Sequence, residues 1–235
     1  MKFLIINGDD FGYGHGVNRA IVELHDRGVL TSAGLMVNTS ATAEAVALAA
    51  ARPRLSLGLH VNFTNEGERL VEFDDPQVCR RELRRQFDHF VALTGRIPTH
   101  IDSHQEIHRR RPCQPSFVEL AEEHGLPLRS RPPVTFKGSF YAQWEHGVSE
   151  PEKVSFEALS QIVSTEVTHG IYELGVHPGY HDAAAHYVYN LDREWELATL
   201  SDSRLLGLLR ELGVELISYH DLPRAVACLD GDGAA

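Results

Sequence analysis

Short apolar runs alternate along the chain with longer stretches whose apolar residues recur every three or four positions. Phe3–Asn7, Ala33–Val37, Leu55–His60, His100–Asp102, Leu126–Arg129, Ile171–Val176 and Val214–Ser218 read as strands. Between them, Val17, Ile21 and Leu24 fall on one helix face, and Leu205, Leu208, Leu209 and Leu212 on another. Thr42–Ala51 is almost all Ala, Val and Leu, a helix by propensity. Pro76–Thr94 reads as a long helix stopped by Gly95 and Pro98. Strand–helix alternation of this kind implies parallel strands joined by right-handed crossovers. About seven such units favour a closed or nearly closed parallel β/α barrel spanning residues 1–235 as one domain, with a doubly wound open sheet as the alternative. Two segments look inserted. Thr64–Asp75 is polar and acidic. Arg131–Pro151 is rich in Pro, Gly and aromatics without regular period, and is expected to cover one rim and offer Phe136, Tyr141 or Trp144 to a substrate.

Composition narrows the partners. A hydrophobic fraction of 43% supports a sizeable core, and a net charge of −11 repels phosphate backbones and anionic lipid. Nucleic acid and membrane insertion are therefore disfavoured, while a homodimer stays open. Cys79, Cys113 and Cys228 form no CxxC pair and are odd in number, which argues against a disulfide framework and suits a reducing compartment. The run Phe3-Leu4-Ile5-Ile6 is too short for a signal sequence or a membrane span, so the expected location is cytoplasmic.

The chemistry lies at the ends of the apolar runs. The first ends in Asn7-Gly8-Asp9-Asp10-Phe11-Gly12, the third in Gly58-Leu59-His60-Val61-Asn62, and the sixth in Gly175-Val176-His177-Pro178-Gly179. Alone, each has an ordinary explanation: a helix-capping Asp, or a His satisfied in the core or a loop. The fourth run leads into Asp102-Ser103-His104-Gln105-Glu106-Ile107-His108, and continued strand alternation would put Asp102, His104, Glu106 and His108 on one face. In a parallel barrel every strand C-terminus lies on one rim, where active sites are built. Asp9, Asp10, His60, His104 and His177 all fall at or just beyond such ends. One carboxylate and two imidazoles suit a divalent cation with positions left open for water and substrate. Gly12, Gly14 and Gly16 fit no phosphate-binding spacing.

These ordered motifs, with Asn18, Leu35-Met36-Val37-Asn38 and the closing Gly213-Val214-Glu215-Leu216-Ile217-Ser218-Tyr219, give the chain a resemblance to the YdjC-like carbohydrate deacetylases over nearly its whole length. That family includes chitooligosaccharide deacetylases and a deacetylase of hopanoid biosynthesis. The resemblance implies a distorted parallel β/α barrel similar to that of the polysaccharide deacetylases, and one divalent metal ion, Mg or Zn, held by Asp10, His60 and His104. It implies Asp9 as general base and His177 as general acid. Glu106 stands where the family pattern has a second His, so the neighbouring substrate subsite differs.

The expected reaction is hydrolysis of an N-acetyl group from an amino sugar or sugar-containing substrate. Asn62, Glu106 and Arg129 are expected to meet substrate, with a surface ion pair as the other reading of Arg129. Asp102 and Glu173 are candidates to orient imidazoles. Two alternatives stand beside this. A metal-dependent phosphoesterase on a similar barrel would want a second metal, with Glu106 and His108 as extra ligands. A catalytically silent sugar- or metal-binding protein would have no need of Asp9 or His177.

Overall fold

The computed structural model describes residues 1–65, 68–181 and 188–232. Its strands are β1 (Lys2–Phe11), β2 (Ser32–Leu35), β3 (Ser56–Val61), β4 (Thr64–Asn65), β5 (Glu68–Arg69), β6 (Ile101–Ser103), β7 (Val134–Lys137), β8 (Gly170–Val176) and β9 (Val214–Leu216). The α-helices are α1 (His15–Asp26), α2 (Thr42–Ala50), α3 (Pro76–Thr94), α4 (Gln114–His124), α5 (Phe156–Glu166), α6 (Asn190–Leu200), α7 (Leu205–Glu211) and α8 (Leu222–Asp232). The main sheet runs β6-β3-β2-β1-β8-β7, all parallel, with β9 added to β1. β1 is long enough to serve three neighbours. β8 follows it from Lys2 to Gly8, β9 pairs only with Lys2–Leu4, and β2 pairs only from Asn7 onward. The result is a half-barrel of parallel strands wrapped by helices.

The strand period sorts β1 between two apolar layers. Leu4 and Ile6 join the large core with Ile21, Leu24 and Phe90. Phe3 and Ile5 face the other way, against Val134, Ile171, Tyr219, Leu222 and Ala225. Each such side chain contributes about 1.5–3 kcal/mol by leaving water. Helix ends follow their sequence signals. Asp75 caps α3 by accepting from Gln77 N at 2.8 Å, Pro76 opens the first turn, and Gly95 closes the helix in a left-handed conformation (φ 71°).

Four sequence-based expectations change. Leu126–Arg129 makes no extended strand; Leu128 forms a single parallel bridge to Ile101. The segment Arg131–Pro151, read as irregular, contains β7, which pairs with β8 along four residues. The strand into Asp102 stops at Ser103, and His104–Arg109 coils into a 3-10 turn with Gln105 and Glu106 left-handed (φ 51° and 52°), so the expected one-face alternation is broken. Cys79 and Cys113, read as unpaired, are joined as a disulfide with Cα atoms 5.6 Å apart, because α3 and the start of α4 pack side by side. The segment Thr64–Asp75 carries the β4–β5 hairpin, and its Glu66 and Gly67 lie outside the described residues. Among the described residues no helix is long and apolar enough to cross a membrane.

Candidate active site

The inner face of the half-barrel changes from apolar to ionised along β1 and β8. On β1 the alternating series is Phe3, Ile5, Asn7, Asp9; on β8 it is Ile171, Glu173, Gly175 and, just past the end, His177. Ile5 pairs with Glu173 and Asn7 with Gly175, so the charged groups stack above an apolar floor. Asp10 would point away if the strand ran on. Instead its backbone turns left-handed (φ 65°), and both neighbouring carboxylates reach one centre. A non-glycine residue there costs about 1–3 kcal/mol, the kind of strain that clusters at functional sites. The turn is clasped by Gly12 N donating to Asn18 Oδ1 at 2.7 Å and Tyr13 N donating to Asp10 O at 2.9 Å.

β3 and β6 supply the next layer. His60 and Asp102 are in register across them, and Asp102 Oδ1 lies 2.8 Å from His60 Nδ1. Two glycines make room: a Cβ on Gly34 would sit 3.0 Å from the His60 ring, and one on Gly58 would collide with His100 at 2.2 Å. The other ring nitrogen, His60 Nε2, faces Asp10 Oδ1 at 3.2 Å, and His104 Nδ1 faces that same oxygen at 3.0 Å. Burial opposes charge on His60, but the Asp102, Asp9 and Asp10 carboxylates outweigh it and push the ring up to about 10.

The donor set of Asp10, His60 and His104 fits a divalent cation. Their ligand atoms lie within 4.8 Å of one another, Asp102 fixes the far side of His60, and His104 Nε2 is buried without a partner. A second grouping, Asp9, His60 and Asp102, shares His60, but both of its carboxylates already hold the guanidinium of Arg129.

Arg129 is neither at the surface nor turned to the cavity alone. It is buried among three carboxylates. Its Nη1 and Nη2 grip the two Asp9 oxygens at 2.7 and 2.6 Å, Nη2 lies 2.8 Å from Asp102, and Nε donates to Glu173 Oε1 at 2.9 Å. Burial would raise Asp9, but Arg129 outweighs it and holds the carboxyl below the usual range. Burial lifts Glu173 instead, despite Arg129, and Tyr219 OH donates to its second oxygen at 2.7 Å. Glu173 thus orients no imidazole; it anchors Arg129.

His177 stands opposite, with Nε2 3.7 Å from Asp9 Oδ2 and Nδ1 3.6 Å from Glu196 Oε1. Burial lowers this ring, but Glu196 and then Asp9 and Asp10 raise it above its ordinary value, favouring the protonated form. Glu196 also accepts from His177 N at 2.5 Å and from Tyr189 OH at 2.6 Å, and Tyr189 OH accepts from Ala142 N at 2.9 Å. Tyr141 stacks on Tyr189, ring centroids 4.6 Å apart, and meets His177 edge-on at 5.3 Å.

Of the expected substrate residues, Glu106 sits on the cavity rim, paired with Arg109 at 2.8 Å. Asn62 is fully buried and outside the cavity, its amide spent on Asn38 Oδ1 (3.2 Å) and its backbone clasped by Gln86. His108 is turned into the core with Nδ1 2.8 Å from Ser103 Oγ. Sequence reading missed Arg193 and Glu196. With Leu197 and Leu200 they occupy i, i+3, i+4, i+7 of α6, and charges on the apolar face of a helix were the available signal.

Asp9, Asp10, His60, His104 and His177 all line one cavity of about 940 Å³. Its lining also includes Tyr141 in ring contact with Trp144 and Tyr189, and Phe73 under the guanidinium groups of Arg69 and Arg110. Solved structures share this fold. A candidate cellobiose-phosphate cleavage protein from Enterococcus faecalis superposes with a TM-score of 0.78 at 25% identity, covering 94% of this chain and 98% of that one. The catalytic domain of a peptidoglycan N-acetylglucosamine deacetylase from Eubacterium rectale does so with a TM-score of 0.58 at 12% identity, covering 92% and 88%. In sequence, the carbohydrate deacetylase 2 of Listeria innocua is 32% identical over 94% of this chain and 99% of its own length. With residues 3–211 matching the YdjC-like protein family, the chain belongs to that family.

Proposed function

We propose that this chain is a metal-dependent carbohydrate deacetylase, its residues 1–235 forming one barrel domain around one hydrolytic site. The observation that carries the reading is the convergence of Asp10, His60 and His104 beside Asp9 and His177 in one cavity. Sequence similarity to carbohydrate deacetylases over nearly the whole chain supports it.

Asp10, His60 and His104 would hold the cation, and two imidazoles with one carboxylate suit Zn better than Mg, which prefers oxygen ligands. When bound, a cation there supplies Lewis-acid chemistry to the acyl carbonyl and to water. Asp102 holds His60 with Nδ1 turned away from the site, leaving Nε2 free to ligate. Asp9, kept ionised and immobile by Arg129, takes the proton of the water that attacks the acyl carbon. His177, kept protonated by Glu196, delivers a proton to the sugar nitrogen as the C–N bond breaks, releasing amine and acetate. Each proton transfer of this kind is worth about 10²–10⁴-fold in rate. Arg129 on both Asp9 and Asp102 speaks against the second cation that a phosphoesterase would want. The placement of Asp9 and His177 speaks against a silent binding protein.

Acetate release across a panel of N-acetylated sugars, with metal content assayed in parallel, tests the reading. Release from at least one sugar by metal-loaded protein is expected; none across the panel with metal bound would overturn it.

A further inference from the structure

The two oxygens of Asp10 face different partners. Oδ1 looks toward His60 Nε2 and His104 Nδ1, at 3.2 and 3.0 Å. Oδ2 accepts from Arg193 Nη2 at 2.6 Å. Arg193 comes from the α-helix α6, whereas Asp10, His60 and His104 sit at strand ends or the turn after one, and its side chain is 3% exposed. Burial works against its charge, yet the Asp10 carboxylate holds the guanidinium firmly protonated.

The same residue also touches the strand exit that carries His177, through both its side chain and its main chain. Arg193 Nη1 lies 3.4 Å from His177 O, Arg193 O accepts from Gly179 N at 3.2 Å, and a Cβ on Gly179 would press on the Arg193 stem at 3.0 Å. Nothing in the proton transfers above uses Arg193. A buried guanidinium of high cost needs a function that offsets it.

We propose that Arg193 is a positioning residue that reserves Asp10 Oδ2, so that Asp10 presents Oδ1 alone to a divalent cation. The inference rests on the metal-site reading above. Asp10 hangs from a left-handed backbone turn, with Oδ1 facing the two imidazoles that would share the cation and Oδ2 held by Arg193. One charge-assisted hydrogen bond on the distal oxygen fixes that orientation. Partners that orient a ligand in this way are typically worth about 10–100-fold in metal affinity. The opposite effect also exists in principle: a cation beside a metal ligand competes electrostatically, so deleting it would tighten binding. The two effects differ in sign, which makes them separable.

The test is the Zn²⁺ dissociation constant, measured by competition with a chromophoric chelator, for the wild type, Arg193→Gln and Arg193→Lys. Positioning requires that Arg193→Gln weaken Zn²⁺ at least tenfold. It also requires that Arg193→Lys recover most of that loss, since a single ammonium contact replaces the single contact Arg193 makes to Oδ2. Thermal melting in excess chelator checks folding; if Arg193→Gln does not fold, Arg193→Met takes its place in the comparison with Arg193→Lys, under the same criteria. Unchanged or tighter Zn²⁺ binding in Arg193→Gln, or a Lys variant as weak as the Gln variant, would overturn the inference while leaving the metal site standing. A wild type that binds no Zn²⁺ would overturn both.

Discussion

Nδ1 of His60 lies 2.8 Å from Oδ1 of Asp102, across two parallel strands in which the residues are paired in register. Asp102 therefore orients the imidazole proposed to hold the cation and, with Asp9 and Asp10, keeps it charged in the metal-free protein. With the ring pushed up to about 10, a metal binding at pH 8 must expel a proton from it. The sign is that affinity climbs as pH rises toward about 10, well above the range an ordinary His would give. Calorimetry of Zn²⁺ binding in buffers of different ionisation enthalpy should show about one proton released per ion. Asp102→Asn should reduce that release and weaken Zn²⁺ by about 10–100-fold. Zero proton release in the wild type would contradict the role given to this pair.

Acid and base are separable by leaving group. Asp9→Asn should keep the metal and lose activity by about 10²–10⁴-fold. His177→Ala should also keep it, but its deficit should shrink on an acetate ester of an acidic phenol, whose leaving group needs no proton. Equal rescue of both variants, or of neither, would refute the division of labour.

Two buried histidines outside the proton transfers govern acid stability. His100, stacked on Tyr219 at 3.9 Å, is pushed down to about 4 by burial, and His108 to about 3 by the same cause. Both stay neutral in the fold, so their contribution is complete above about 6.5 and is lost as pH falls to about 3. The loss is on the order of 3–5 kcal/mol for each. Urea midpoints of the metal-free protein should fall between pH 7 and pH 4, and the fall should be smaller in His108→Gln. An identical pH dependence in that variant would show that His108 is not the group responsible.

The walls of the cavity should govern substrate binding apart from chemistry. Trp144 is 62% exposed at the mouth and meets Tyr141 at 90°. Trp144→Ala should raise KM for longer sugars with little change in kcat. Tyr189→Phe keeps the stack on Tyr141 but strips the hydroxyl that joins Ala142 N to Glu196. It should lower kcat as well as raise KM, because Glu196 also holds His177 N. A Tyr189→Phe enzyme with unchanged kcat would show that the loop and the acid are uncoupled.

Much of this architecture was legible because parallel strands buried on both faces read as unbroken apolar runs, and polar residues at their ends mark the active rim. β1, β3 and β8 are of that kind, and α3 carried its own start and stop in Asp75-Pro76 and Gly95. β7 was hidden because Val134-Thr135-Phe136-Lys137 is short, half-exposed and set among prolines and glycines. The left-handed residues Asp10, Gln105 and Glu106 carry no glycine to announce them, yet they decide where Asp10 and His104 point. Arg193, Glu196 and the Cys79–Cys113 pair depend on which helices pack together, and no local pattern states that. The strand exits held the chemical groups; Arg193 and Glu196 of α6, with Tyr189 just before it, hold them in place.

The proposed deacetylation calls for one functional cation per chain. Metal-stripped protein, titrated with Zn²⁺ while acetate release from an N-acetylglucosamine oligosaccharide is followed, tests it most directly. Activity should be absent at the start, rise in proportion to added ion and level off at one equivalent, with no comparable rise in His60→Ala or His104→Ala. Full activity in the stripped protein, or a plateau reached only at two equivalents, would contradict it.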